Sequence, residues 1–121
     1  MKSLKRERQP SQFDLRCYDI LCQVPRGKVA TYELIAHALG SKGSRAVGNA
    51  MNRNPFAPKV PCHRVVRSDG SIGGYAGGPA KKRSMLTREG VAIKNGKVED
   101  LAGSLFAPRR ERRVINKKRR V

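Results

Sequence analysis

The chain has no tryptophan, and aromatic residues fill only 5% of its 121 positions, so its core must rest on aliphatic side chains. No apolar stretch approaches the roughly 18 residues of a membrane span, which argues against a membrane protein. The opening Met1-Lys2-Ser3-Leu4-Lys5-Arg6 is basic with no apolar run behind it, so it does not read as a secretory signal. The 3 cysteines, an odd and irregularly spaced set, give no disulfide framework. They point to a reduced intracellular compartment: cytoplasm or nucleoid, or the nucleus of a eukaryote. Cys17, Cys22, Cys62, His37 and His63 lack the paired spacing of a zinc site, so no metal is expected, and Cys17 and Cys22 read as packing residues. A phosphate-binding G-x-x-x-x-G-K-[ST] loop is also missing.

Acidic residues are scarce: 9 Asp and Glu stand against 27 Lys and Arg, a formal net charge of +18. Residues 109–121 hold 8 basic side chains and residues 2–8 another 4, each segment with 1 acid. The body between keeps 15 basic and 7 acidic residues, so it is strongly cationic without its ends. A polyanion partner is expected. Charge excess also occurs without any specific site, so the balance alone does not name a function. The length suits one domain, with residues 1–11 as a flexible basic arm, 12–108 as the folded body and 109–121 as a mobile basic tail.

Ser11 is placed to cap a helix over about 12–23, with Asp14 in its first turn and an apolar stripe of Phe13, Cys17, Ile20, Leu21 and Val24. Pro25-Arg26-Gly27-Lys28 makes a turn. Thr31 caps a short helix over 32–39 that Gly40 stops, with Tyr32, Ile35, Ala36 and Leu39 on one face. A polar turn leads to a second short helix over about 45–53, with Ala46, Val47, Ala50 and Met51 as its apolar stripe. Its other face carries Arg45, Asn49, Asn52 and Arg53. Two short helices across a tight turn, the second with a cationic, amide-bearing face, read as a helix-turn-helix. The prolines at 55, 58 and 61 make residues 54–61 an extended loop. Glycines at 73, 74, 77 and 78 bracket Tyr75 in a further loop. A last clear helix over about 80–89 begins near Pro79 and ends at Gly90, and Val98 to Phe106 adds one more short element.

Cys62 is the residue with chemistry to explain. A thiol attacks as its thiolate, and adjacent cationic or hydrogen-bonding groups favour that form. His63 and Arg64 are the neighbouring candidates. A small buried hydrophobe is the competing reading for any cysteine.

Pro61-Cys62-His63-Arg64-Val65-Val66 resembles the active-site signature of the O6-alkylguanine-DNA alkyltransferases, the methylated-DNA–protein-cysteine methyltransferases. In the same order as in that family come Gly27-Lys28-Val29-Ala30-Thr31-Tyr32, Ser44-Arg45-Ala46-Val47-Gly48-Asn49-Ala50-Met51 and Asn54-Pro55. Gly73-Gly74-Tyr75-Ala76-Gly77-Gly78 and Glu89-Gly90 follow. The resemblance covers about residues 12–92. It implies an α/β-type, mostly helical domain, the alkyltransferase C-terminal domain, with a winged helix-turn-helix-like DNA-binding unit.

The resemblance also implies roles. Cys62 is the alkyl acceptor, His63 its base through a bridging water, Glu89 the group that orients His63, and Asn54 the brace of the active-site turn. Tyr32 bonds the flipped guanine and protonates it as it leaves. Arg45 fills the gap in the duplex, while Ala46, Asn49, Asn52 and Arg53 lie with it in the minor groove. Tyr32, the Val65 carbonyl, Tyr75 and Ala76 line the base pocket. The implied partner is double-stranded DNA containing O6-alkylguanine, met by a monomer that needs no cofactor and reacts once. The rival is a non-catalytic alkyltransferase-like protein that recognises lesions. Such proteins replace the cysteine, and Cys62 is present here. The turn from Gly40 to Arg45 is one residue shorter than in some members, and the 109–121 tail has no counterpart.

Overall fold

The computed structural model describes residues 9–41, 43–75 and 77–111. Residues 1–8 of the basic arm, Ala76 of the expected base pocket and residues 112–121 of the tail lie outside the described residues.

Helix α1 spans Gln12–Leu21, two residues shorter than its stripe suggests. Its capping box is complete: the Asp14 amide donates to Ser11 Oγ at 3.0 Å, and the Ser11 amide donates to Asp14 Oδ2 at 3.3 Å. Strand β1 (Ala30–Thr31) runs straight into α2 (Tyr32–Ala38), which Thr31 caps through the Leu34 amide. Gly40 stops it with φ of 71°, in the left-handed region that only glycine adopts without strain. Helix α3 (Ser44–Asn52) completes the helix-turn-helix. Cys17, Ile20, Leu21 and Val24 of the α1 segment pack with Ile35, Ala36, Leu39, Val47, Ala50 and Met51 in the main core. Ala46, placed by its spacing on the apolar stripe, is exposed instead, beside Arg45.

A tight 3-10 turn over Cys62–Arg64 precedes strand β2 (Val65–Val66). β1 and β2 pair in parallel, Ala30 with Val65 and Thr31 with Val66. Each strand is only two residues long, but this ladder decides the site. Tyr32 follows β1 directly and Cys62 stands three residues before β2, so their pairing brings two residues 30 positions apart to one place. Helix α4 (Pro79–Arg88) has its proline at N1. The hairpin β3 (Ile93–Lys94) and β4 (Lys97–Val98) turns at Asn95-Gly96, both with positive φ, as a two-residue primed turn requires. A single-turn helix α5 (Leu101–Ser104) follows. Val29, Val66, Ile72, Leu86, Val91 and Val98 form a second, smaller core under this half.

The segment after α5 laces back across the first half. The Val29 amide donates to Ser104 O at 2.9 Å, and the Phe106 amide donates to Val29 O at 2.8 Å. Residues 109–111, read from sequence as the start of a free tail, are bound to the body. The Arg109 amide donates to Gln23 Oε1 at 2.8 Å, and the Glu111 amide donates to Ala38 O at 2.7 Å. Arg16 grips both Glu111 carboxylate oxygens, at 2.8 and 2.7 Å, and also donates to Leu39 O. Among the described residues no helix is long and apolar enough to cross a membrane.

Candidate active site

Cys62 is 5% exposed, at the N-terminal end of its 3-10 turn. The loop before it is held from inside. Asn54 Nδ2 donates to Val60 O at 2.8 Å, Asn54 Oδ1 accepts from the Phe56 amide at 2.8 Å, and the Cys62 amide donates to Val60 O at 2.8 Å. Asn54 therefore ties together the loop that leads into Cys62. The loop is a series of turns rather than an extended run.

His63 is buried, and its Nε2 lies 2.9 Å from Glu89 Oε2. Glu89, the C-cap of α4, also accepts from Arg64 Nε and Nη2, each at 2.9 Å, while Arg64 Nη1 donates to Val24 O at 2.8 Å. Burial pushes the Glu89 carboxyl up, but the hydrogen bonds from Arg64 and His63 together outweigh it and hold it at about 2. An ionised Glu89 can only accept, so Nε2 carries the ring proton. Burial lowers the His63 pKa against the opposing pull of Glu89, so the ring is neutral near pH 7. Nδ1 is then the basic nitrogen; it is buried and without a hydrogen-bond partner among the described residues. Arg64 is spent on Glu89 and on the end of the α1 segment. It is a structural clamp rather than the neighbour of the thiol that adjacency suggests.

Lys82, which the sequence does not set apart from its basic neighbours, joins this cluster. It is 0% exposed, and its Nζ donates to Val65 O at 2.6 Å and Gly74 O at 3.1 Å, with the ammonium 6.0 Å from the centre of the Tyr32 ring. Burial lowers its pKa to about 8, against an opposing electrostatic pull from Cys62. The Val65 carbonyl, expected to face a base, thus already accepts one bond, with a second lone pair left. Burial raises the pKa of Tyr32 and of Tyr75, so both phenols keep their protons near neutrality. Gly73, with φ of 73°, carries its loop past the Tyr32 hydroxyl, where a Cβ would stand 3.4 Å from the oxygen.

Two cavities flank this cluster. A cleft of about 770 Å³ is lined by Tyr32, Ser44, Arg45, Asn49, Asn52 and Arg67, among others. Arg45, Ala46, Asn49 and Asn52 are all exposed along this face of α3. Arg53 is turned away from the group it was expected to join. Its guanidinium donates to both oxygens of buried Asp14, at 2.7 and 3.2 Å, tying the end of α3 to the start of α1. The second cavity, about 350 Å³, is lined by Cys62, Tyr75, Ala57, Pro58, Lys81 and Met85 with Gly77. The other thiols differ. Cys17 is fully buried, and burial drives its pKa up to about 12, whereas Cys22, expected to pack inside, is exposed at the end of α1.

The family model described as the DNA-binding domain of 6-O-methylguanine DNA methyltransferase matches residues 12–91. A methylated-DNA–protein-cysteine methyltransferase of Methanothermobacter thermautotrophicus is 42% identical over 83 residues, 69% of this chain and 47% of that protein. The O6-methylguanine-DNA methyltransferase structure from Pyrococcus kodakaraensis superposes with a TM-score of 0.63 at 48% identity, covering 67% of this chain and 47% of that one. The S. pombe Atl1 protein, solved with damaged DNA containing O6-carboxymethylguanine, gives a TM-score of 0.71 at 34% identity. That match covers 80% of this chain and 96% of Atl1. The chain spans about half the length of the two methyltransferases. With a family model matched over most of its folded residues, the chain belongs to the family of the 6-O-methylguanine DNA methyltransferase DNA-binding domain.

Proposed function

We propose that the protein repairs O6-alkylguanine in double-stranded DNA by moving the alkyl group, once, to its own Cys62. The observation that carries the reading is buried His63, which follows Cys62 in the sequence: an ionised Glu89 holds its Nε2, and its Nδ1 is left without a hydrogen-bond partner among the described residues, available as a base. The target carbon is hidden in stacked duplex, so the nucleotide is first extruded at a cost of a few kcal/mol. Arg45, exposed at the start of α3, fills the vacated stack, and Asn49, Asn52 and Ala46 lie with it along the groove. Tyr32, the Val65 carbonyl and Tyr75 receive the base; Ala76, named with them, lies outside the described residues.

His63 takes the Cys62 proton, directly or through a water, and Lys82 stabilises the charge on sulfur. The sulfur then attacks the alkyl carbon. The S–C bond forms as the C–O6 bond breaks, and Tyr32 supplies a proton to the departing guanine. The product is a thioether, which cellular thiols do not reverse, so each molecule reacts once. No cofactor enters the scheme, and a monomer suffices. The rival reading, recognition of lesions without chemistry, lacks a use for Cys62 and its relay.

Replacing Arg45 with alanine separates flipping from chemistry. Transfer from duplex should fall roughly 10- to 30-fold, equivalent to about 1.5–2 kcal/mol of lost help with extrusion. Transfer from free O6-methylguanine should stay within about twofold, a change worth under 0.5 kcal/mol. Single-turnover rates on both substrates decide the matter, and equal losses would remove Arg45 from the flipping step.

The rest of the tail has a separate expected role. Residues 112–121 hold 6 basic side chains and no acid. Such a composition binds phosphates without reading bases. A cut after Pro108 would also destroy the Arg16–Glu111 clamp, so the informative truncation ends at Glu111. If about four of the charges meet phosphate, the slope of log affinity against log salt should shrink by about 3.6. Titration of undamaged duplex across salt measures it, and an unchanged slope would make the tail a bystander.

A further inference from the structure

We propose, resting on the alkyl-transfer reading, that Lys81 fits the pocket beside Cys62 to O6 substituents that end in a carboxylate. With the base held on the Tyr32 side, anything beyond the first carbon of the substituent must leave sideways past the sulfur. The 350 Å³ cavity bordering Cys62 is where it goes. Ala57, Pro58 and Met85 give that cavity an apolar floor suited to methylene groups, and among the described residues Lys81 is the one charged side chain in its lining.

Lys81 is an exposed residue in the lining of this cavity. It is the third residue of α4, and its stem runs across Gly77, where its Cδ lies 3.1 Å from the point at which a Cβ would stand. The Tyr75 ring edge reaches the same point at 3.0 Å. The lack of a side chain at Gly77 is therefore what leaves room for the Lys81 stem and the Tyr75 ring side by side in the cavity lining. The ammonium of Lys81 is in no ion pair or side-chain hydrogen bond among the described residues, unlike its neighbour Lys82, which two carbonyls occupy. Among the described residues the lining thus pairs an apolar floor with an exposed, uncommitted lysine and includes no carboxylate. A carboxymethyl group matches both parts.

The chemistry is the same displacement. Cys62–SH and O6-carboxymethylguanine give the S-carboxymethyl thioether and guanine; the C–O6 bond breaks, and the thiol proton is balanced by the one guanine gains. The test uses the full chain with three free bases: O6-methyl-, O6-propyl- and O6-carboxymethylguanine. Propyl is the neutral match in size. Single-turnover rates are compared for the parent protein, Lys81→Gln and Lys81→Glu. Lys81→Gln should slow carboxymethyl transfer about fivefold, the upper range for an exposed ion pair. Lys81→Glu should slow it further, and both effects should shrink at about 1 M salt, where screening acts within roughly 3 Å. Methyl and propyl transfer should stay within about twofold, too little to count as a lost ion pair.

An unchanged carboxymethyl rate in Lys81→Gln would overturn the proposal, as would equal losses on all three bases or no carboxymethyl transfer by the parent protein. Failure of the parent protein to accept even methyl would instead remove the alkyl-transfer reading beneath it.

Discussion

Glu89→Gln is expected to slow alkyl transfer about 100-fold on free O6-methylguanine and on duplex alike, the lower range for loss of a positioned acid–base group. The equal loss follows from where Glu89 acts. It fixes the proton on His63 Nε2 and so leaves Nδ1 basic, a task that does not depend on how the base arrives. The amide would turn a donor toward Arg64 or His63, and removing one partner of a buried ion pair costs about 3 kcal/mol or more. The acid limb of stability should change with it. A carboxyl held near 2, against 4.5 unperturbed, stabilises the fold fully above pH 4.5 and loses that contribution as pH falls toward 2. At about 1.4 kcal/mol for each pH unit, the gap amounts to about 3 kcal/mol. His63 acts in the same direction: burial lowers its pKa from 6.5, so acid below that value protonates the unfolded chain first. Urea unfolding at pH 7 and pH 3 should show the two proteins converging in acid. A constant difference at both pH values would remove the ionised carboxylate from the account.

Lys82→Met is the second large effect, and it separates chemistry from stability. Methionine keeps the stem's volume and removes an ammonium whose burial is unfavourable, so the fold should persist with a change of about 1 kcal/mol or less. Transfer should nevertheless drop by about 100-fold, the scale of one electrostatic stabiliser in a buried site. The sign of the pH dependence is fixed by the lowered pKa. In the folded chain Lys82 loses its proton through about pH 8, while unfolded it would hold it to about 10.5. Its burial therefore costs stability in full below pH 8, and that cost is relieved as pH rises from 8 to 10.5. Activity runs the other way, with transfer falling as pH passes 8 and the ammonium is lost. Rates on the free base from pH 6 to 9.5 should show that alkaline limb in the parent protein. The same limb in Lys82→Met would place its origin elsewhere.

Lys82 also marks the boundary of what the sequence makes legible. In Lys81-Lys82-Arg83 it looks like one more solvated cation. Only its position four residues before buried Leu86 and seven before Glu89, on one helical face, separates it from its neighbours. The caps at Ser11 and Thr31, the stop at Gly40 and the core stripes are legible because each depends on residues within a turn of one another. The β1–β2 ladder is not, since two residues carry no alternation and their pairing spans 35 positions. The Asn95-Gly96 hairpin is marked only by its turn dipeptide, since the strands beside it are two residues each. Arg53 illustrates the converse error: helical spacing aligns it with Arg45 and Asn49, but α3 ends at Asn52, and buried Asp14 captures the guanidinium. The candidate nucleophile, its histidine and its brace were legible because a short motif fixes them; the clamp by Arg64 and the charge from Lys82 arise only through tertiary packing.

If Cys62 is the acceptor, mass mapping of the cysteines after reaction with methylated duplex will show it. The three thiols provide their own control. Cys17 is sealed in the core with its proton held to about 12, and at exposed Cys22 burial and the Asp19 charge raise the thiol pKa, which disfavours the thiolate. The account predicts one methyl group per molecule, on the peptide containing Cys62, with guanine released and no modification in Cys62→Ala. A methyl group on Cys17 or Cys22, or undiminished transfer by Cys62→Ala, would contradict it.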